Sequence, residues 1–344
     1  MSTARKVAVL KGGGSLERTV SLRSGVRARE ALSRLGHEVI EIDVGPELMA
    51  QLLEAAPDVA FIALHGSGGE DGTVQGLLEA IGIPYTGSGP AACMRCTDKA
   101  LAKYLMREAG IPTPDFSAFE ETAVKELGVA AALPAIEQRL GFPMVVKPAS
   151  QGSALGVKFA RAHEELPKAI VGALSYGHKV VLERYVKGRD LAVSVIDAEI
   201  GSSPAQTATV QAPRAQSVSA QAPPAAGEPV ALPVVEAIPR EKDFYDYESR
   251  YEIGMTTFVC PAELPASVTE RAQELALATY KLLGCHGVAR VDLMLDEATG
   301  ELAVLETNVV PGLTETSLLP LAADAAEIWL DLLVQRILDS AFTR

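Results

Sequence analysis

The sequence predicts an α/β fold that opens with a parallel sheet, and three observations carry that expectation. Short apolar runs alternate with amphipathic stretches of helical spacing from the first residues onward. Glycine-rich loops, Lys11–Ser15 and His65–Gly72, follow two of those runs. Gly36 closes a helical stretch just before the next apolar run. Such alternation builds βαβ units, whose ligands gather beyond the carboxyl ends of the strands.

Taken in order, Lys6–Leu10 is a strand, Ser21–Leu35 a helix and His37–Val44 a second strand. Asp58–Leu64 is a third strand, of buried type, and Thr73 to about Ile81 a helix. Thr97 is read as the N-cap of a helix stopped near Gly110 by Pro112 and Pro114, with a domain boundary near Pro90. A second unit follows, with strands Met144–Pro148 and Val157–Phe159 around a Gly/Ser loop, then Lys179–Tyr185. Residues 197–229 are rich in Ala, Pro, Gln and Ser and nearly free of large apolar side chains, so they are read as a mobile inserted loop. Structure returns at Val230–Glu236, and Pro265–Leu283 is a helix stopped by Gly284. Val288–Leu295 and Leu302–Asn308 form a hairpin through Asp296–Gly300, and a last helix runs from about Leu321 to the end. Three units result: 1–90, 91–186 and 187–344.

Composition narrows the function. Among 344 residues, 31 Lys and Arg stand against 44 Asp and Glu, a net charge of −13. Nucleic acid needs a basic surface and is not an expected partner. No apolar run approaches the roughly 18–20 residues that span a bilayer, so no membrane partner is expected. No signal peptide is read at the start, and the four cysteines suggest reduced thiols in the cytoplasm. Cys93 and Cys96 have redox or metal-pair spacing, but no second pair or nearby His completes a zinc site.

The hairpin carries the strongest chemical signal. Alternation puts Arg290 and Asp292 on one strand face, and Glu306 and Asn308 on one face of the partner, opposite Leu305 and Thr307. If the polar faces coincide, an oxygen-rich cluster suited to magnesium forms beside Arg290. Two half-exposed strands with solvated faces fit the same pattern. The turn-forming loop after Asn308 offers backbone N–H groups to an oxyanion or carboxylate. Lys147–Val157 has the make-up of a hairpin loop that folds over phosphate, with Lys147 at a strand end; a plain surface hairpin is its alternative. GxxxxGK[ST] occurs nowhere.

Five stretches in order resemble the D-alanine–D-alanine ligases, which have the ATP-grasp fold. They are GGGSLERTVSLRSG, LHGSGGEDGTVQGLLE with IPYTGSG, KPASQGSALGV, FYDYESRY, and RVDLML followed by ETNVVPGLTETSLLP. The resemblance implies a parallel α/β domain followed by two α+β domains that clasp ATP. It implies that Glu17 binds the ammonium of the first D-alanine, with His65 near substrate. Lys99, Lys147 and Arg250 would hold phosphates, and Glu183 and Asp190 the adenine and ribose. Glu17, Ser153 and Tyr251 would close a mobile loop over the site. Asp292, Glu306 and Asn308 would bind magnesium, with manganese as a substitute. Arg290 and the Gly312 N–H would stabilise the oxyanion, and Ser317 and Leu318 would hold the second D-alanine. The implied reaction is ATP-dependent joining of two D-alanines through an acyl phosphate, for peptidoglycan precursors, by a homodimer. Arg250 stands where the family usually has Lys, and Asp190 where it usually has Glu. A D-alanine–D-lactate ligase, or a nucleotide-binding protein of reduced turnover, are the alternatives.

Overall fold

The computed structural model describes residues 4–197, 228–239 and 256–344. Three sheets organise them. The first is parallel, in the order β2-β1-β3, with β1 at Lys6–Lys11, β2 at Glu38–Asp43 and β3 at Val59–Ile62. Helix α1 (Arg18–Arg34) begins three residues earlier than the apolar spacing suggests, and Gly36, at φ +87°, lets the chain turn into β2. Alternate residues of β1 feed two cores. Ala8 and Leu10 pack with α2 (Leu48–Ala55) and α3 (Thr73–Ala80). Val7 and Val9 pack with α1 and the chain's last helices.

The expected helix ending near Gly110 is two helices, α4 (Pro90–Thr97) and α5 (Lys99–Glu108). Asp98, not Thr97, is the cap: its carboxylate accepts the Leu101 N–H at 3.1 Å, worth about 1 kcal/mol. The Thr97 hydroxyl donates instead to the Glu70 carbonyl at 2.6 Å.

The second sheet is antiparallel, ordered β4-β7-β5-β6. Its strands are β4 (Phe116–Glu120), β5 (Met144–Pro148), β6 (Lys158–Ala160) and β7 (Lys179–Arg184). Helices α6 (Glu121–Lys125), α7 (Leu133–Leu140) and α8 (Leu166–Leu174) accompany it. Met144, Val146, Val180 and Leu182 pack beneath it against α7 and α8.

The third sheet runs β11-β10-β8-β12-β13, with β9 also on β8. It comprises β8 (Gly188–Asp197), β9 (Pro229–Ala231), β10 (Val235–Pro239), β11 (Thr256–Val259), β12 (Val288–Asp296) and β13 (Leu302–Asn308). Asp197 pairs with Pro229, so the two ends of the expected insertion meet; 198–227 lie outside the described residues. Val193, Val291 and Leu293 enter a core with Met106 and with α9 (Ala266–Leu283). The single expected last helix is α10 (Leu318–Ala325) and α11 (Leu330–Ser340), broken where Glu327 takes a φ of +61°.

Candidate active site

The expected late hairpin forms, with Arg290 opposite Asn308 and Asp292 opposite Glu306. Directly opposed residues share a face, so all four polar side chains stand on one side. Beyond Asp292 the register shifts, and Leu293 pairs with Val304. Leu305 is thus the extra residue of a bulge and lines the same cleft as Glu306, not the opposite face expected from strict alternation.

That cleft runs between the second and third sheets. Lys99, Lys147, Glu183, Asp190, Asp292 and Glu306 line it, and Leu318 contributes apolar surface. A smaller cavity adjoins it through Lys99, Gln151 and Glu306, and reaches Gly66, Ser153, Arg290 and Asn308. The described nucleotide residues therefore line one space; of the expected metal residues Asp292 lines the first, Asn308 the second and Glu306 both, while Arg290 lines the second and Gly312 neither.

Three cations partition the polar groups. Arg290 donates twice to Asp292, Nε to Oδ1 at 2.6 Å and an Nη to Oδ2 at 2.9 Å. Lys99 Nζ donates to the Gln151 carbonyl at 2.5 Å and stands 3.4 Å from Glu306. Lys147 Nζ lies 3.1 Å from Glu183. Sequence reasoning missed Lys103, which is fully buried and 2.7 Å from Glu183. The missed signal is its place four residues after Lys99, on the same face of α5. Burial pushes the Lys103 ammonium down to about 8, with Glu183 opposing that shift. Burial also pushes Glu183 up, but Lys103 and Lys147 together outweigh it and hold the carboxyl below its usual range.

Glu17 sits at the start of α1, buried, with Ser153 donating to Oε1. This bond joins the first βα loop to the β5–β6 loop. A Cβ at Gly152 would come 2.8 Å from Glu17 Oε2, so a side chain there would displace the carboxylate. Burial, reinforced by Glu70, lifts the Glu17 carboxyl above the usual range against the Ser153 bond, His65 and Lys99.

His65 is buried with both ring nitrogens engaged: Nδ1 lies 3.3 Å from Glu70 and Nε2 3.1 Å from the Ser24 hydroxyl. Ser24 also accepts the Leu313 N–H at 3.1 Å, beside Gly312. Ser317 accepts the Thr314 N–H at 3.0 Å and precedes α10, whose first residue is Leu318. Arg250 and Tyr251 lie outside the described residues.

Among the described residues, no three His, Cys, Asp or Glu side chains gather as a metal site. The hairpin offers two carboxylates and an amide, whose Oδ1 accepts the Val310 N–H at 2.9 Å. Cys93 and Cys96 do not act as a pair. Cys96 lies 3.6 Å from Cys285, and that contact and burial hold its thiol far above a reactive range.

Sequence comparison decides the family. A model described as "D-ala D-ala ligase C-terminus" matches residues 105–216 and 225–339, and its N-terminal counterpart matches 47–88. The chain belongs to the D-alanine–D-alanine ligase family. The D-alanine–D-alanine ligase of Moorella thermoacetica is 43% identical over 338 residues, covering 98% of this chain and 99% of that one. That of Syntrophotalea carbinolica is 40% identical, covering 99% and 97%. The crystal structure of the Bacillus anthracis ligase superposes with a TM-score of 0.78 at 33% identity, over 99% and 98% of the two chains. The same ligase complexed with ATP gives 0.76. The fold is the ATP-grasp architecture of these ligases, with a parallel α/β sheet followed by two largely antiparallel ones. Among the described residues no helix is long and apolar enough to cross a membrane.

Proposed function

We propose that this protein joins two D-alanines to D-alanyl-D-alanine, using ATP and passing through an acyl phosphate, for peptidoglycan precursors. The observation that carries the reading is the meeting of the two cavities at Lys99, Gln151 and Glu306. One has the charged and apolar lining that suits a nucleotide, and the other ends at Glu17's partner Ser153 and at Arg290. The division into 1–90, 91–186 and 187–344 is retained, supported by sheets at 6–62, 116–184 and 188–308.

In this reading Glu17 receives the ammonium of the first D-alanine. The carboxylate of that amino acid attacks the γ-phosphorus of ATP, the bond to the bridging oxygen breaks, and ADP leaves. Lys99, Lys147 and Arg250 neutralise phosphate charge, while Glu183 and Asp190 hold the adenosine end. The second amine attacks the acyl carbon, and phosphate departs. Arg290 and the Gly312 N–H stabilise the oxyanion between these events. Ser317 and Leu318 orient the second amino acid, His65 supports the substrate side, and Tyr251 closes with Glu17 and Ser153 to exclude water. Asp292, Glu306 and Asn308 are hard oxygen donors that suit magnesium, or manganese, which supplies charge neutralisation at the phosphates. A cytoplasmic homodimer is the proposed setting.

The purified full chain, given ATP, magnesium and a panel of D-alanine, L-alanine and D-lactate, should release phosphate with D-alanine alone and yield the dipeptide. Phosphate release that prefers L-alanine or D-lactate, or none at all, would remove this reading.

A further inference from the structure

We infer that the Glu70–His65–Ser24 chain is a positioning device that sets the Gly312–Leu313 backbone for the second chemical step. Ser24 then governs amide-bond formation without touching substrate. This rests on the ligase reading above and deepens it.

With a single proton on the His65 ring, donor chemistry gives the chain one polarity. A carboxylate bonded to an imidazole accepts, so His65 Nδ1 carries the proton toward Glu70 at 3.3 Å. In that tautomer Nε2 accepts from the Ser24 hydroxyl, 3.1 Å away. With its proton committed, Ser24 Oγ presents its lone pairs to the Leu313 N–H, also at 3.1 Å. Ser24 is 1% exposed and His65 4%, so water does not compete for these bonds. Both ring nitrogens are occupied in this arrangement, and His65 acts through Ser24 rather than as a free base.

The recipient is the loop that carries the oxyanion donor. A Cβ at Gly312 would stand 2.6 Å from Ser317 Oγ and 3.9 Å from Ser24 Oγ, so this peptide is packed between the two hydroxyls. Ser317 in turn accepts the Thr314 N–H at 3.0 Å. The loop after β13 is therefore held from both sides, and Ser24 ties it to α1 and to the loop after β3. Ser24 lies seven residues beyond Glu17, two helical turns along the same face of α1. One helix thus presents a group to the first amino acid and braces the donor used when the second attacks.

Ser24→Ala releases the Leu313 N–H and leaves His65 Nε2 without its donor. Removing an oxyanion donor outright lowers kcat about 10²–10³-fold, and displacing one should cost less, about tenfold. The test uses the full chain with two readouts. Scrambling of a labelled β–γ bridge oxygen in ATP, with D-alanine present, reports the first step; dipeptide formation reports both. For Ser24→Ala the expected result is scrambling and ATP KM within twofold of wild type, and a dipeptide kcat about tenfold lower. Ser24→Cys, which keeps the volume with weak hydrogen bonding, should fall in the same direction, and it stands in if the alanine variant does not fold. Ser24→Thr, which keeps the hydroxyl, should restore most of the rate. Wild-type dipeptide rates in Ser24→Ala or Ser24→Cys would overturn the inference, as would equal loss of scrambling and product. Failure of the wild-type arm to need D-alanine would instead sink the ligase reading itself.

Discussion

At Glu17 binding and stability make opposite demands on one carboxylate. Its folded-state value lies above the ordinary 4.5 because burial disfavours the charge. The folded protein therefore holds this proton more tightly than the unfolded chain between 4.5 and the raised value. Stability falls as pH rises through that window, and the full penalty persists above it. Glu17→Gln should be at least as stable as wild type at neutral pH, with the difference closing as pH falls toward 4.5, read by thermal unfolding. The same change should lower ligation roughly 100-fold, the worth of a charged hydrogen bond of about 2–3 kcal/mol. Lys103 behaves differently, because it is structural charge with a partner. Lys103→Met leaves Glu183 buried with Lys147 as its remaining cation, and should destabilise by about 3 kcal/mol in urea denaturation. Unchanged stability would show that Lys147 alone satisfies Glu183.

The late hairpin shows what strand alternation can and cannot read. Period two put Arg290 with Asp292 and Glu306 with Asn308, and the strand pairing brings the two pairs onto one face. It failed at Leu305, because a bulge depends on pairing with the partner strand and leaves no mark in the local pattern. The bulge lets two successive residues, Leu305 and Glu306, face the nucleotide cleft. Deleting Leu305 would make Val304 and Glu306 neighbours of opposite face, which matches the pairing already present. That deletion should leave the unfolding midpoint nearly unchanged and weaken ATP binding about tenfold, the worth of a largely buried apolar side chain. Loss of folding would show instead that the bulge stabilises the sheet. Helix ends were less legible for a related reason. Thr97 and Asp98 are both good caps, and the choice fell to Asp98 because Thr97 is drawn to the Glu70 carbonyl, a residue 27 positions away.

For the molecule as a whole, the opening parallel sheet was legible from alternating strands and helices with glycine-rich loops at strand ends, and the junction between the three sheets was not. The site arises where loops of three sheets touch: Glu17 and His65 from the first, Lys147 and Ser153 from the second, Arg290 to Ser317 around the third. Those contacts span 136 residues from Glu17 to Ser153 and 289 from Ser24 to Leu313. Local periodicity carries no information at that range, so the residues were placed by family resemblance and their partners came from the structure. Ser24 and Lys103 carry no local signal of their roles, because His65, Leu313 and Glu183 reach them from far along the chain. The central claim is that the converged site transfers a phosphoryl group to a carboxylate before the amide forms. D-alanine carrying oxygen-18 in its carboxylate tests it most directly. One labelled oxygen should appear in each phosphate released, with the other kept in the peptide carbonyl. Release of unlabelled phosphate would mean that water takes the phosphoryl group, and would contradict the account.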